Sequence, residues 1–196
     1  MKRNEHEFIV VGLIGYLLFL TTILFITAQP ARAVILINPD KSQHQMDKPF
    51  QPFQRWADQA KVPTVPNLVE LRFDNIKIMC SSSVAFGCAP EFASVIFIQP
   101  HNKHAKSALL HELGHRFDWQ MRKLVRIEFG RIINDIRQWT EQPNSLQEQF
   151  AEAYRMCAQP KIKDLHFSAY YLPTAGQHEE VCALIRNEGE RMNKEW

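Results

Sequence analysis

Two histidines and a glutamate in the segment SALLHELGHRFDWQ have the spacing of a metal site that activates water. On a helix, His111 and His115 lie one turn apart on the same face, so both imidazoles can bind one ion. Glu112 stands beside them, where it can accept a proton from an activated water rather than bind the metal itself. This H-E-x-x-H pattern also occurs by chance, and a metal site of this kind needs a third protein ligand.

A downstream segment, EQFAEAY, offers that third ligand. Glu148 and Glu152 stand one helical turn apart, and we predict Glu148 as the ligand and Glu152 as the acceptor for the N–H of a ligating histidine. Two buried carboxylates are costly without a nearby cation, which favours this interpretation. The alternative is structural, because Ser145 and Glu148 form an S-x-x-E capping box in which Glu148 serves only the start of its own helix.

The residues around the motif narrow the class of site. Metzincins place a third histidine shortly after the second, past a glycine, and the sequence RFDWQMRKLVRI that follows His115 contains none. Asp118 falls on the ligand face of the helix and is either an outer support for a histidine or a solvated residue. The small residues Gly114 and Ala151 predict a close approach between the motif helix and the glutamate helix.

Together, HELGHRFD and EQFAEAYRMC resemble the gluzincin metallopeptidases, and among them the compact catalytic domain of the anthrax lethal factor type. The resemblance covers two short segments, not the whole chain. It implies a zincin-like fold with a zinc ion held by His111, His115 and Glu148. It also implies Glu112 as the general base, with Glu152 and Asp118 in the outer shell. The strand SVIFI, before the motif helix, would then be the sheet edge that pairs with an extended peptide substrate.

One feature of that family is missing from the matching position. The lethal factor pattern has a tyrosine before the glutamate helix, placed to stabilise the oxyanion, and no tyrosine stands between His115 and Glu148. The loop HFSAYYLPT offers Tyr170 and Tyr171 as replacements, together with His166. The alternative is that both tyrosines only pack in their loop.

Hydrophobic periodicity predicts the elements that must position these residues. Four β-rich runs, at 33–37, 68–74, 76–79 and 93–99, predict a small antiparallel sheet whose last strand leads to the motif helix. Helical spacing then predicts helices at 52–62, from Lys106 onward, at 127–139 through Ile132, Ile133, Ile136 and Trp139, at 146–158 and at 178–192. The predicted class is α+β, with the sheet first and the active-site and glutamate helices after it.

The N-terminus predicts export. An uncharged apolar run at 8–28 follows a basic start and precedes Ala31-Arg32-Ala33, an A-x-A cleavage pattern. Residues 1–33 are therefore predicted to be a cleaved signal peptide or, because the run is long enough to cross a bilayer, an N-terminal membrane anchor. In both cases residues 34–196 form a single secreted or extracytoplasmic domain.

Export makes the cysteines informative. The four cysteines can pair in three ways, and we expect the neighbouring pairs Cys80–Cys88 and Cys157–Cys182, because an oxidising compartment favours bridges over free thiols. A zinc site built on cysteine is disfavoured, since no C-x-x-C pair occurs. His178 is expected at the surface.

Composition limits the function classes. The 196 residues are 45% hydrophobic and carry a net charge of +2 without the clustered Lys/Arg footprint of a nucleic-acid-binding protein. The leading hypothesis is an exported, monomeric zinc endopeptidase that acts on a peptide or protein. A catalytically silent zinc domain that binds peptide or cell-envelope partners is the alternative, and Glu112 argues against it. An anchored interaction protein with an accidental motif is disfavoured by the pair Glu148 and Glu152.

Overall fold

Four short strands form one mixed sheet in the computed structural model of this chain. They are β1 (Ile35–Ile37), β2 (Leu68–Arg72), β3 (Gly87–Cys88) and β4 (Val95–Ile98). In the order β1-β2-β4-β3, the first three strands run parallel and only β3 is antiparallel to its neighbour β4. The predicted antiparallel sheet is therefore wrong. A helix separates β1 from β2 in sequence, and such a crossover returns the chain in the same direction.

Five helices accompany this sheet among the described residues. They are α1 (Asp47–Asp58), α2 (Ala105–Gln120), α3 (Lys123–Ile132), α4 (Leu146–Ala158) and α5 (Ala175–Glu195). The class is α+β, as predicted. Among the described residues, none of the helices combines the length and the apolar character that a membrane span requires.

The structure describes residues 35–37, 47–65, 68–73, 79–80, 86–91, 93–137, 139, 145–159 and 173–195. Three predictions fall outside these ranges: the export segment 1–33, the strand at 76–79 apart from Met79, and the loop that contains Tyr170 and Tyr171.

Helix α3 ends earlier than its apolar spacing predicts. It stops at Ile132, and Asn134 takes a left-handed conformation with φ 57°. The N–H of Asp135 then donates to the carbonyl of Gly130 at 2.9 Å, which closes a Schellman-type helix end. Ile136, predicted on the buried stripe, is fully exposed as a result.

Helices α2 and α4 cross in close contact. A methyl group added to Gly114 would lie 2.8 Å from Cα of Ala151 and 3.1 Å from Cβ of Tyr154. Only glycine therefore allows this separation, and the close approach predicted from Gly114 and Ala151 is confirmed. The crossing brings the two ligand-bearing segments together.

Two disulfides join neighbouring elements. Cys80–Cys88 links β3 to the segment before it, with Cα atoms 5.8 Å apart, and Cys157–Cys182 links α4 to α5, with Cα atoms 5.4 Å apart. The pairing is the one expected from sequence neighbours.

Candidate metal centre

Three potential ligands converge where α2 crosses the first turn of α4. Nε2 of His111 lies 3.2 Å from one carboxylate oxygen of Glu148, and Nε2 of His115 lies 3.4 Å from the other. Zinc–nitrogen bonds of 2.0–2.1 Å imply ligand-to-ligand edges of about 3.3 Å in a tetrahedral site. The three side chains are therefore spaced as the ligands of one small metal ion.

The start of α4 explains how Glu148 reaches the histidines. Ser145 is the N-cap, and its side chain accepts a hydrogen bond from the N–H of Glu148 at 3.3 Å. The carboxylate of Glu148 does not complete the capping box but points to the two imidazoles. Glu148 thus contributes its backbone N–H to the cap of α4, while its carboxylate lies beside the two histidines.

The electrostatics of this cluster favour a cation. Burial acts to lower the pKa of His111, but contacts with Glu148 and Glu152 and the charge of Glu112 outweigh it and raise that pKa to about 10. Burial acts to raise the pKa of Glu148, while the two histidines hold it well below its usual range. In the absence of a metal, the proton on His111 supplies the positive charge that stabilises these carboxylates, and a divalent metal ion would supply that charge instead.

Glu112 lies beside the ligands without being one of them. Its side chain is buried under β3, where the N–H of Ala89 donates to its carboxylate, and a methyl group on Gly87 would lie 3.3 Å from its Cγ. Burial raises the pKa of Glu112, the charge of Glu148 adds to this, and the histidines oppose it. A buried carboxylate with a raised pKa suits proton transfer near neutral pH.

Glu152 stands behind the first histidine. Its Oε2 lies 3.6 Å from Nδ1 of His111, on the side of the ring opposite the ligand nitrogen. The carboxylate is fully buried and held by Arg155, whose Nε and terminal NH2 groups donate at 2.8 and 2.5 Å. Sequence reasoning missed Arg155, although a basic residue three positions after a buried glutamate on a helix was an available signal.

Asp118 is not a solvated helix residue. It is fully buried, accepts a hydrogen bond from the indole of Trp139 at 3.0 Å, and lies 3.0 Å from Nε of Arg126. Burial raises the pKa of Asp118, while Trp139, Arg126 and the charge of His115 lower it. Asp118 is therefore a buried carboxylate positioned by Trp139 and Arg126, both of which sequence reasoning missed.

The sheet edge differs from the one that the family resemblance implies. Strand β4, which contains most of SVIFI, is not an outer strand, because it pairs with β2 on one side and, at Phe97 and Ile98, with β3 on the other. The outer strand next to α2 is the two-residue β3, which the sequence pattern did not predict because it is so short.

Comparison of the chain with protein-family models, with curated proteins and with solved structures gave no match in any of the three searches.

Proposed function

We propose that this protein is a zinc-dependent peptidase of the gluzincin type with a zincin-like fold. The observation that carries the proposal is the convergence of His111, His115 and Glu148, with Glu112 buried beside them. Two imidazoles and one carboxylate are a common ligand set of catalytic zinc, which keeps its fourth position open for water or substrate.

Each residue of the centre has a role in the proposed reaction. His111, His115 and Glu148 would hold the zinc ion, which when bound would supply a water activated at neutral pH and polarise the carbonyl of the scissile bond. Glu112 would accept the proton from that water and deliver it to the leaving nitrogen. Glu152 would accept the Nδ1–H of His111 and so favour the tautomer that leaves Nε2 available as a ligand. The oxyanion donor remains the predicted Tyr170 or Tyr171.

We place the peptide substrate along β3, not along β4. Strand β3 is the outer strand of the sheet among the described residues, and a methyl group on its Gly87 would lie 3.3 Å from Cγ of Glu112, so this edge of the sheet lies next to the proposed base. An extended peptide can add to such an edge through main-chain hydrogen bonds, a mode that is tolerant of sequence.

The proposal includes export and action as a monomer. The two disulfides support an oxidising compartment outside the cytoplasm. The segment 1–33 would direct export as a signal peptide or hold the domain at a membrane as an anchor.

Zinc content and peptide cleavage test this function. Elemental analysis of the oxidised protein should find about one zinc per chain in the wild type and in Glu112→Gln, and much less in His111→Ala. Cleavage of a mixed-peptide library should fall roughly 100- to 10,000-fold in Glu112→Gln. Glu128→Gln on α3 makes the same chemical change at an exposed residue and should leave cleavage unchanged.

The outcomes separate the alternatives. Wild-type protein that binds no zinc would contradict the metal centre. Zinc retention without any cleavage would instead identify a silent domain that binds peptide or cell-envelope partners. The burial of Glu112 beside the candidate ligands favours the peptidase, because a purely structural metal site has no use for a base there.

A further inference from the structure

A second group of three potential ligands lies where α4 meets α5. It consists of Cys157 near the end of α4 and of His178 and Cys182 on α5. Their ligand atoms all lie within 4.8 Å of one another. His178 and Cys182 are four residues apart, so they project from one face of the helix at a separation of one turn.

The structure corrects the expected surface position of His178. His178 is not a surface residue but is half-buried, and its Nε2 lies 3.6 Å from Sγ of Cys182. The absence of a C-x-x-C pair does not exclude a cysteine-based site, because the second sulfur comes from Cys157 on another helix, 25 residues away in sequence.

The spacing suits a tetrahedral metal ion with sulfur and nitrogen ligands. Zinc–sulfur bonds of about 2.3 Å and zinc–nitrogen bonds of about 2.0–2.1 Å imply edges of about 3.6 Å between sulfur and nitrogen and about 3.8 Å between two sulfurs. The 3.6 Å between Cys182 and His178 already matches the first edge. Once the disulfide opens, rotation about the two Cα–Cβ bonds can separate the sulfurs while the Cα atoms stay 5.4 Å apart.

We propose that Cys157, His178 and Cys182 form a second metal site, which takes a thiophilic divalent ion such as zinc when the Cys157–Cys182 disulfide is reduced. The link between α4 and α5 then has two forms, a disulfide and a metal clamp. Two thiolates and one imidazole favour zinc over hard cations such as magnesium or calcium. The site is independent of the hydrolytic function and does not use any ligand of the first centre.

Conversion of the disulfide form into the metal-bound form requires a two-electron reductant, and a dithiol supplies the electrons. The dithiol supplies two electrons and two protons and becomes a disulfide, while the bond between Cys157 and Cys182 breaks to give two thiols. Metal binding releases both thiol protons to solvent, because the thiolate is the ligand. His178 adds a neutral imidazole, and the fourth position is left for water or a small ligand.

The other disulfide is a built-in control. Cys80 and Cys88 are also bridged, but they belong to no three-ligand group among the residues that the structure describes. Reduction should therefore expose these two thiols to reagents whether or not zinc is present.

Metal-dependent protection of thiols tests the proposal on the full-length chain. The protein is reduced with a phosphine and alkylated with iodoacetamide, with and without zinc, and each cysteine is followed by peptide mass spectrometry. Zinc should slow alkylation of Cys157 and Cys182 at least about 10-fold and leave Cys80 and Cys88 unchanged. In His178→Ala, half-protection should need more than about 10 times as much zinc, since even loss of an outer-shell partner costs 10- to 100-fold. His101→Ala, at an exposed histidine, should behave as the wild type.

The absorption spectrum of bound cobalt tests the proposal without any substitution. The reduced wild-type chain with Co2+ should show a thiolate-to-cobalt charge-transfer absorption that the oxidised chain lacks. The proposal is overturned if zinc protects none of the cysteines, if it protects all four equally, or if His178→Ala is protected as well as the wild type. It is also overturned if the reduced chain loses its helical circular dichroism even with zinc present.

Discussion

Helices α4 and α5 contain the same two local motifs, a capping box and a buried Glu–Arg pair, but the side chains of these motifs make different contacts. Each begins at a box of the S/T-x-x-E/Q type, Ser145 to Glu148 in α4 and Thr174 to Gln177 in α5. In α5 both halves of the box form, because Gln177 accepts from the N–H of Thr174 at 2.9 Å and donates its own N–H back at 3.3 Å. In α4 the side chain of Glu148 instead points to the histidines.

Helices α4 and α5 also differ in a second motif, which lies further along each helix. Each helix has a buried glutamate paired with an arginine three residues later, Glu152 with Arg155 in α4 and Glu188 with Arg191 in α5. Glu152 lies behind a histidine of the candidate metal centre, whereas Glu188 holds Arg122 at the turn between α2 and α3. A local motif can therefore contribute to a site only where a neighbouring element presents potential ligands to it.

The largest effect is expected from breaking the buried pair in α4. Arg155→Met leaves the carboxylate of Glu152 buried without its partner, which should lower the free energy of unfolding by about 3–5 kcal/mol. Arg191→Met is the matched change in α5, and there we expect about 1 kcal/mol because that guanidinium is partly solvated. Urea denaturation of both variants measures the difference, and equal losses would mean that burial does not distinguish the two pairs.

A smaller effect, on zinc affinity alone, is expected from changing the last residue of each box, Glu148 or Gln177. Glu148→Ala removes a ligand and should weaken zinc binding by more than about 100-fold, beyond the usual cost of losing an outer-shell partner. Gln177→Ala should leave zinc affinity unchanged, because its side chain bonds the start of α5 and the carbonyl of Ile132 at the end of α3, and neither belongs to the candidate ligand set. Calorimetric titration of the oxidised proteins tests this, and an unaltered affinity in Glu148→Ala would reduce Glu148 to a capping residue.

Lowering the pH should destabilise the protein through protonation of Glu188 on α5. Burial acts to raise the pKa of Glu188, but hydrogen bonds from Arg191 and Arg122 lower it to about 2. Because the pKa is lower in the folded state than in the unfolded chain, this pair stabilises the fold above pH 4.5 or so, and the stabilisation is lost as pH falls towards about 2.

Glu188→Gln should therefore flatten part of the acid limb of a stability–pH profile. At neutral pH, the variant should lose about 1–3 kcal/mol, the range for hydrogen bonds to charged groups. Thermal melts of both proteins between neutral pH and pH 2 would show it. Parallel profiles throughout would rule out Glu188 as the group responsible.

The smallest effects are expected at the two N-caps. Ser145→Ala and Thr174→Ala each remove one cap hydrogen bond and should each cost about 1 kcal/mol of stability. Only Ser145→Ala should also weaken zinc binding, and by less than Glu148→Ala, because it loosens the turn that holds the Glu148 carboxylate. Equal zinc affinities in the two cap variants would mean that the cap does not position the ligand.

Local patterns predicted the parts of the fold and site that depend on neighbours in sequence. The helical spacing of His111 and His115, the cap at Ser145 and the small residues at the helix crossing all have their effect within one turn or at one contact. The end of α3 was missed because apolar spacing continues past Asn134, while the left-handed backbone there stops the helix. Hydrophobic periodicity therefore predicts which face of a helix is buried but not where the helix ends.

The sequence by itself determined which chemical groups are present and how they are spaced along each helix. It could not show the direction of the strands, the two-residue edge at β3, or that Cys157 meets His178, because these depend on pairings between segments far apart in the chain. The tertiary structure decided them through the crossing of α2 with α4 and the packing of α5 on α4. Side chains at a fixed helical spacing become a metal site only when another element supplies the remaining ligand at about 3–4 Å.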